Sequence, residues 1–124
     1  MLRMADLRKN TRYKALAKAT INGVTDKEVL LSNISVTGCC LEIPAYVEIK
    51  PNARYKLKII PEDASGIDSF FLSVEGKWEG VRAGSFECGF NIIESPRGKQ
   101  FQRYVDYLSW RYSQGNSMIG NAED

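Results

Sequence analysis

Two short groups of residues in this 124-residue chain have the types and spacing to do chemistry. The first is Arg8-Lys9-Asn10-Thr11-Arg12, an R-x-x-x-R. The second is Asn33-Ile34-Ser35-Val36-Thr37-Gly38, an N-x-S-x-x-G. An arginine guanidinium is a planar fork of donors that takes two acceptors at once, and its plane stacks on flat rings. An asparagine amide carries a donor and an acceptor side by side, and a serine hydroxyl does both on one atom. Glycine lets a backbone come close to what it binds. Together these groups suit recognition of an anion rather than proton transfer. Each also has a plainer reading. Basic residues near a terminus are commonly a solvated arm, and Asn, Ser and Gly at this spacing commonly form a turn. Asn33-Ile34-Ser35 is formally a glycosylation sequon, which carries no weight without a secretory signal.

Composition narrows the chemistry further. The chain has no histidine, which excludes Ser-His-Asp and Cys-His catalysis and any His-ligated metal. Its three cysteines, Cys39, Cys40 and Cys88, have no C-x-x-C spacing and are odd in number, as expected of reduced thiols. No catalytic residue, metal or cofactor is expected. The N-terminal residues carry no apolar run and no stretch is long enough to span a membrane, so a cytoplasmic domain without membrane insertion is expected. The formal net charge of +2 hides an asymmetry. Residues 1–20 hold six basic groups against Asp6 alone, a net of +5, while the remainder holds 11 basic and 14 acidic groups, a net of −3. A basic arm on an acidic body points to an anionic partner for the arm.

The elements that must position these groups follow from hydrophobic period. Tyr13, Ala15, Ala17, Ala19 and Ile21 share one parity, as in a half-buried strand, and Asn22-Gly23 then marks a tight turn. A second apolar run covers 28–32. Cys39, Leu41 and Ile43 alternate with Cys40 and Glu42, and Pro44 ends that strand. Pro51-Asn52 marks a turn before Tyr55, Leu57 and Ile59, which alternate with Arg54, Lys56 and Lys58. After a polar loop over 61–66, Phe70, Leu72, Val74 and Trp78 share a parity that Gly76 interrupts, a bulge signal. Ala83-Gly84 is a turn, and Phe86, Cys88, Phe90 and Ile92 alternate beyond it. Then the period changes. Ser95-Pro96 resembles a helix start, and Phe101, Tyr104, Val105, Leu108 and Tyr112 form one stripe of a helix over 97–113, stopped by Gly115. Six short strands and one helix predict a mainly β fold, a six-stranded antiparallel barrel with a C-terminal α-helix. The expected organisation is a flexible basic arm over 1–12, the barrel and helix over 13–113, and a polar tail over 114–124.

The two motifs, in this order around the first strands of a barrel, resemble those of the PilZ domain family. The family pattern places R-x-x-x-R just before the first strand and [D/N]-x-S-x-x-G about 20 residues on. Arg8, Arg12, Asn33, Ser35 and Gly38 fill all five positions, and the resemblance covers nearly the whole chain as a stand-alone single domain. It implies a receptor for the bacterial second messenger cyclic di-GMP that signals by closing its N-terminal arm over the ligand and altering the binding of a downstream protein. The five motif residues would be the ligand site. Guanine's O6 and N7 suit an arginine fork, as do the ligand's two phosphates. Leu7 stands where an arginine in the family goes with an intercalated ligand dimer, so it leans toward one ligand molecule. It reads equally as a residue that packs the arm onto the barrel.

Around these five, Lys9, Cys39, Trp78 and Gly89 are further candidates for the ligand site. Lys9 would add positive field. Cys39 and Cys40 read otherwise as small buried residues, Trp78 as core by its parity, and Gly89 as a strand bend. Glu75 and Glu79, four apart, have the spacing of a carboxylate pair but read as a solvated edge. Arg97, Lys99, Arg103 and Arg111 read as the helix's solvent face. Two alternatives to the receptor remain: a small nucleic-acid-binding barrel using the arm with Lys56 and Lys58, and a protein-interaction barrel that binds no nucleotide. Nucleic acid is disfavoured because no strand face interleaves basic and aromatic residues densely.

Overall fold

A computed structural model describes residues 11–82, 84–94 and 99–114. Leu7, Arg8 and Lys9, the Ser95-Pro96 helix start, Arg97 and the tail beyond 114 lie outside the described residues. Seven strands are present: β1 (Tyr13–Lys14), β2 (Lys18–Ile21), β3 (Thr25–Ile34), β4 (Gly38–Ile43), β5 (Arg54–Ile60), β6 (Phe70–Arg82) and β7 (Ser85–Glu94). One helix, α1 (Gln100–Gln114), follows them. All pairings are antiparallel, in the order β1-β3-β2-β5-β6-β7-β4, and β4 returns to pair with β3. The result is a closed barrel of six staves. β1 and β2 both pair with β3 and are two halves of one stave.

The alternation read from the sequence builds this barrel. Ala15, Ala17, Ala19 and Ile21 are buried, as are Leu57 and Ile59 on β5 and Cys88 and Phe90 on β7. Each fully buried large aliphatic contributes roughly 1.5–3 kcal/mol relative to exposure, and closure leaves no open sheet edge. β3 is longer than the apolar run over 28–32. Its polar first half, Thr25, Asp26 and Lys27, follows the tight turn, with Thr25 paired to Ile21, so backbone bonding rather than apolar pattern extends it.

The helix stripe docks as its period requires. Phe101, Tyr104, Val105 and Leu108 are buried, and Tyr112 lies against Tyr13 of β1 with ring centroids 6.2 Å apart. Phe70, at the head of β6, packs on Phe101 and Tyr104. Arg111 does not sit on the helix's solvent face. It pairs with Glu62 in the loop before β6, N···O 3.0 Å, while the Tyr104 hydroxyl donates to the other Glu62 oxygen at 2.6 Å. Glu62 thus fastens the helix to the barrel through two charge-assisted bonds, each stronger than a neutral hydrogen bond. Among the described residues no helix is long and apolar enough to cross a membrane.

Candidate functional site

Strict alternation along β3 from Val29 and Leu31 would point Asn33 into the core. The structure breaks the alternation there. The register between β3 and β4 shifts between Leu31 and Asn33, so Ile34 takes the inward place and Asn33 stands half-exposed. A second irregularity does the same for Trp78. The β6–β7 register shifts between Gly76 and Trp78, as the glycine signalled, and the indole is 42% exposed rather than buried with Phe70, Leu72 and Val74. Bulges commonly re-aim side chains beside binding sites in this way. Asn33 pairs with Cys40, Cys40 with Gly89, and Gly89 with Trp78, a single transverse row across β3, β4, β7 and β6.

That row is a trough. Asn33 and Trp78 are its walls, three strand spacings or roughly 14 Å apart. Between them the open floor is one small side chain, Cys40, while Gly89, which has none, lies under the indole. The cavity over it holds about 300 Å³ and is lined by polar and aromatic groups including Arg12, Lys77 and Glu87. A Cβ on Gly89 would overlap Cε2 and Nε1 of Trp78, so the indole rests directly on the glycine. Gly89→Ala is therefore expected to push the indole toward water. In a Trp110→Phe background, which leaves Trp78 as the only tryptophan, its fluorescence emission should shift to longer wavelength. An unchanged spectrum would mean the indole does not rest there.

Arg12 closes the trough on the Asn33 side. Its Nη1 donates to Asn33 Oδ1 at 3.0 Å. The asparagine amide in turn donates to Ser32 Oγ at 3.5 Å, and Ser32 Oγ donates to the Cys40 carbonyl at 3.2 Å. This chain of bonds sets which end of the Asn33 amide faces Arg12. The guanidinium also lies over Gly38. A Cβ there would come within 2.9 Å of Arg12 Nη2 and 2.8 Å of the Phe90 carbonyl, so only glycine lets β4, β7 and the arginine approach together.

Ser35 plays a different part from Arg12 and Asn33. It is 1% exposed, and its Oγ accepts the N–H groups of Thr37 and Gly38, each at 3.2 Å. Its own N–H donates to the Gly38 carbonyl at 2.8 Å. The Thr37 carbonyl accepts the Ile92 N–H at 2.8 Å, which ties the turn to β7. The hydroxyl organises the turn that presents Gly38 to Arg12. Of the two neighbouring cysteines, Cys40 rather than Cys39 has its side chain on the trough face. Cys39 also borders the cavity, but its side chain belongs to the core, because β4 alternates from Leu41 and Ile43. Burial pushes the Cys39 thiol up to about 12, against a smaller opposing pull from Arg12. Glu79, the partner of Glu75 in the carboxylate spacing, accepts the Ile49 N–H at 3.1 Å and so serves the fold.

Of the sequence candidates, the structure brings together Arg12, Asn33, Gly38, Gly89 and Trp78, with Ser35 beneath them. Arg8, Lys9 and Leu7 fall outside the described residues. Lys77 and Glu87 line the same trough and have no motif to announce them; only the outward parity of β7 hints at Glu87.

Comparison with known proteins bears on the fold. No protein-family model matches the chain, and no curated protein matches it. Among solved structures, it is similar to that of the Bacillus subtilis inhibitor of motility (MotI/DgrA), with a TM-score of 0.71 at 15% sequence identity. The likeness covers 87% of this chain and 52% of that one, so the chain spans about half the length of that protein.

Proposed function

We propose that this chain is a non-catalytic receptor domain for cyclic di-GMP, held in the trough between Arg12–Asn33 and Trp78. The observation that carries the reading is the Arg12–Asn33 hydrogen bond over Gly38, which unites three positions of the two sequence motifs across 21 to 26 residues of chain. The chemistry fits a cyclic dinucleotide. The guanidinium fork suits a guanine edge or a phosphate, the Asn33 amide suits a base edge, and the exposed indole suits stacking on a purine. The barrel's similarity to a motility inhibitor fits a signalling role, though that protein shares only the fold.

In this reading Arg8 supplies the second fork, and closure of residues 1–12 over the ligand presents a new surface to a downstream protein. Ordering each backbone residue costs roughly 1–2 kcal/mol, so the charge-assisted contacts must exceed that sum. Isothermal titration with cyclic di-GMP, with GMP and cyclic di-AMP as controls, tests the reading. Saturable binding of cyclic di-GMP, tighter than of either control, is expected. Equal binding of all three, or none, would overturn it. Two charged phosphates predict that affinity falls with salt, but cyclic di-AMP, which carries the same phosphates on a different base, separates this receptor from a general polyanion binder.

A further inference from the structure

The outer face of β5 lies away from the trough, and on the two strands they share the groups are far apart along the chain: Phe71 is seven residues from Trp78 on β6 and Lys27 six from Asn33 on β3, roughly 20 Å at the rise of a strand. That face is basic. Lys56 and Lys58 point outward from β5, and Lys27 joins them from the first half of β3, all three exposed. Among the described residues, none of the three lies within ion-pair distance of a carboxylate. At their centre is Phe71 on β6, a large apolar side chain 51% exposed. Phe71 stands opposite Lys58 in register, and Lys58 opposite Thr20 on β2, so one row crosses three strands. The Lys56 ammonium lies 5.9 Å from the Phe71 ring centroid. Together these groups line a concavity of about 650 Å³, the wall of which the β2–β3 turn completes.

The body of the chain beyond residue 20 carries a net charge of −3, so a patch of three exposed lysines, none of them in an ion pair among the described residues and with Asp26 the one carboxylate lining the concavity, departs from its surroundings. Carboxylates mark its edges. Asp26 sits on the turn side, Glu28 is 3.6 Å from Lys18 on β2, and Glu75 stands opposite Arg54. An exposed apolar ring flanked by exposed ammonium groups is complementary to a short acidic segment that carries an apolar side chain of its own. A long polyanion fits less well. It would run onto the acidic edges, and a single aromatic provides no run of stacking platforms for successive bases. Lysines also suit separate carboxylates better than the bidentate fork contacts that favour arginine.

We infer that the β2–β5–β6 face, through Lys27, Lys56, Lys58 and Phe71, is a docking surface for a short acidic segment of a partner protein. It is separate from the nucleotide trough, and the inference does not rest on cyclic di-GMP being the ligand there.

The probe is a fluorescein-labelled peptide of glutamates flanking a central phenylalanine, followed by anisotropy on the full chain at low and at physiological salt. Saturable binding at low salt is expected, weakened about tenfold as salt rises past the range in which exposed charges are screened. Lys56→Glu/Lys58→Glu is expected to weaken it about tenfold or more, and Phe71→Ser severalfold with every charge intact. These substitutions are on the surface, so far-UV circular dichroism should be unchanged, and the cyclic di-GMP titration should be the same as for the parent chain. The inference is overturned if the peptide does not saturate at low salt. It is equally overturned if the doubly substituted chain binds as well as the parent, which would assign the peptide to the basic N-terminal residues. An oligothymidylate of matching charge that binds more tightly than the peptide would also overturn it and assign the face to nucleic acid.

Discussion

Arg12→Ala is expected to weaken cyclic di-GMP binding by about tenfold to a hundredfold while leaving thermal stability almost unchanged. The two halves of that expectation have separate causes. Arg12 is exposed, and its one described side-chain bond is to Asn33 at 3.0 Å, itself half-exposed. Water replaces such a bond at small cost, and surface substitutions of this kind usually stay within about 0.5 kcal/mol. A fork on guanine or phosphate is different, because it is made only when ligand is present. One bidentate contact of that kind is worth about 1–3 kcal/mol, and 1.4 kcal/mol is tenfold in affinity.

Arg12→Lys sharpens the test. Lysine keeps the charge and loses the fork, so it should recover only part of the affinity. Recovery in full would mean that Arg12 acts as a point charge and that base-edge recognition lies elsewhere. Asn33→Ala removes the guanidinium's anchor and one amide, and is expected to cost about tenfold. Because Arg12 and Asn33 are bonded to each other, their losses should not add: the double variant should bind little worse than Arg12→Ala alone. Additive losses would show that the two residues serve separate parts of the ligand. Unchanged affinity in Arg12→Ala would remove the trough as the site.

The same residues show what was legible in the sequence. Strand parity is a local signal, and it gives the barrel: Ala15 to Ile21, Leu57 and Ile59, Cys88 and Phe90 are buried as their alternation predicts. The helix stripe from Phe101 to Leu108 is equally local. The trough is not local. It exists because two irregularities turn Asn33 and Trp78 outward, and a bulge is settled by how two strands pair, not by either strand alone. Gly76 flagged one bulge, yet parity still counted Trp78 with the core. Nothing in Leu31-Ser32-Asn33 flagged the other. Arg111 and Glu62 are 49 residues apart, so their bond was equally out of reach of helix periodicity, which places Arg111 among solvated cations. What the motifs could carry was residue type. What they could not carry was that Ser35 organises a buried turn while Arg12 and Asn33 face the cavity.

A second large effect is expected at high pH, and it arises in the core beneath the trough. Burial pushes the thiols of Cys39 and Cys88 up to about 12 from an ordinary 9.0, with Glu79 adding to the rise at Cys88. Both side chains are almost wholly buried, at 1% and 0% exposure, and all three cysteines are free. The folded chain therefore keeps two protons that the unfolded chain releases above pH 9. Stability from this source is fully present below pH 9 and is lost as pH rises toward 12, at about 1.4 kcal/mol per pH unit for each thiol. Between pH 9 and pH 11 the two thiols together remove roughly 5 kcal/mol, comparable with the whole stability of many domains this size. Tyr104 steepens the fall beyond pH 10. Its hydroxyl is raised well above its ordinary 10.0, first by burial and then by the bond it donates to Glu62, which ionisation would break. At about 4 °C per kcal/mol, the melting temperature in reductant should fall by roughly 20 °C over those two pH units. Substitution assigns the slope to these groups. Cys39→Ala/Cys88→Ala will lower the melting temperature at neutral pH by leaving small cavities, but it should flatten the decline between pH 9 and pH 11. Tyr104→Phe should flatten only the part above pH 10. If the parent and the doubly substituted chain lose stability in parallel across pH 9–11, the buried thiols are not the cause, and the 1% and 0% exposure of Cys39 and Cys88 does not hold their protons through the alkaline range.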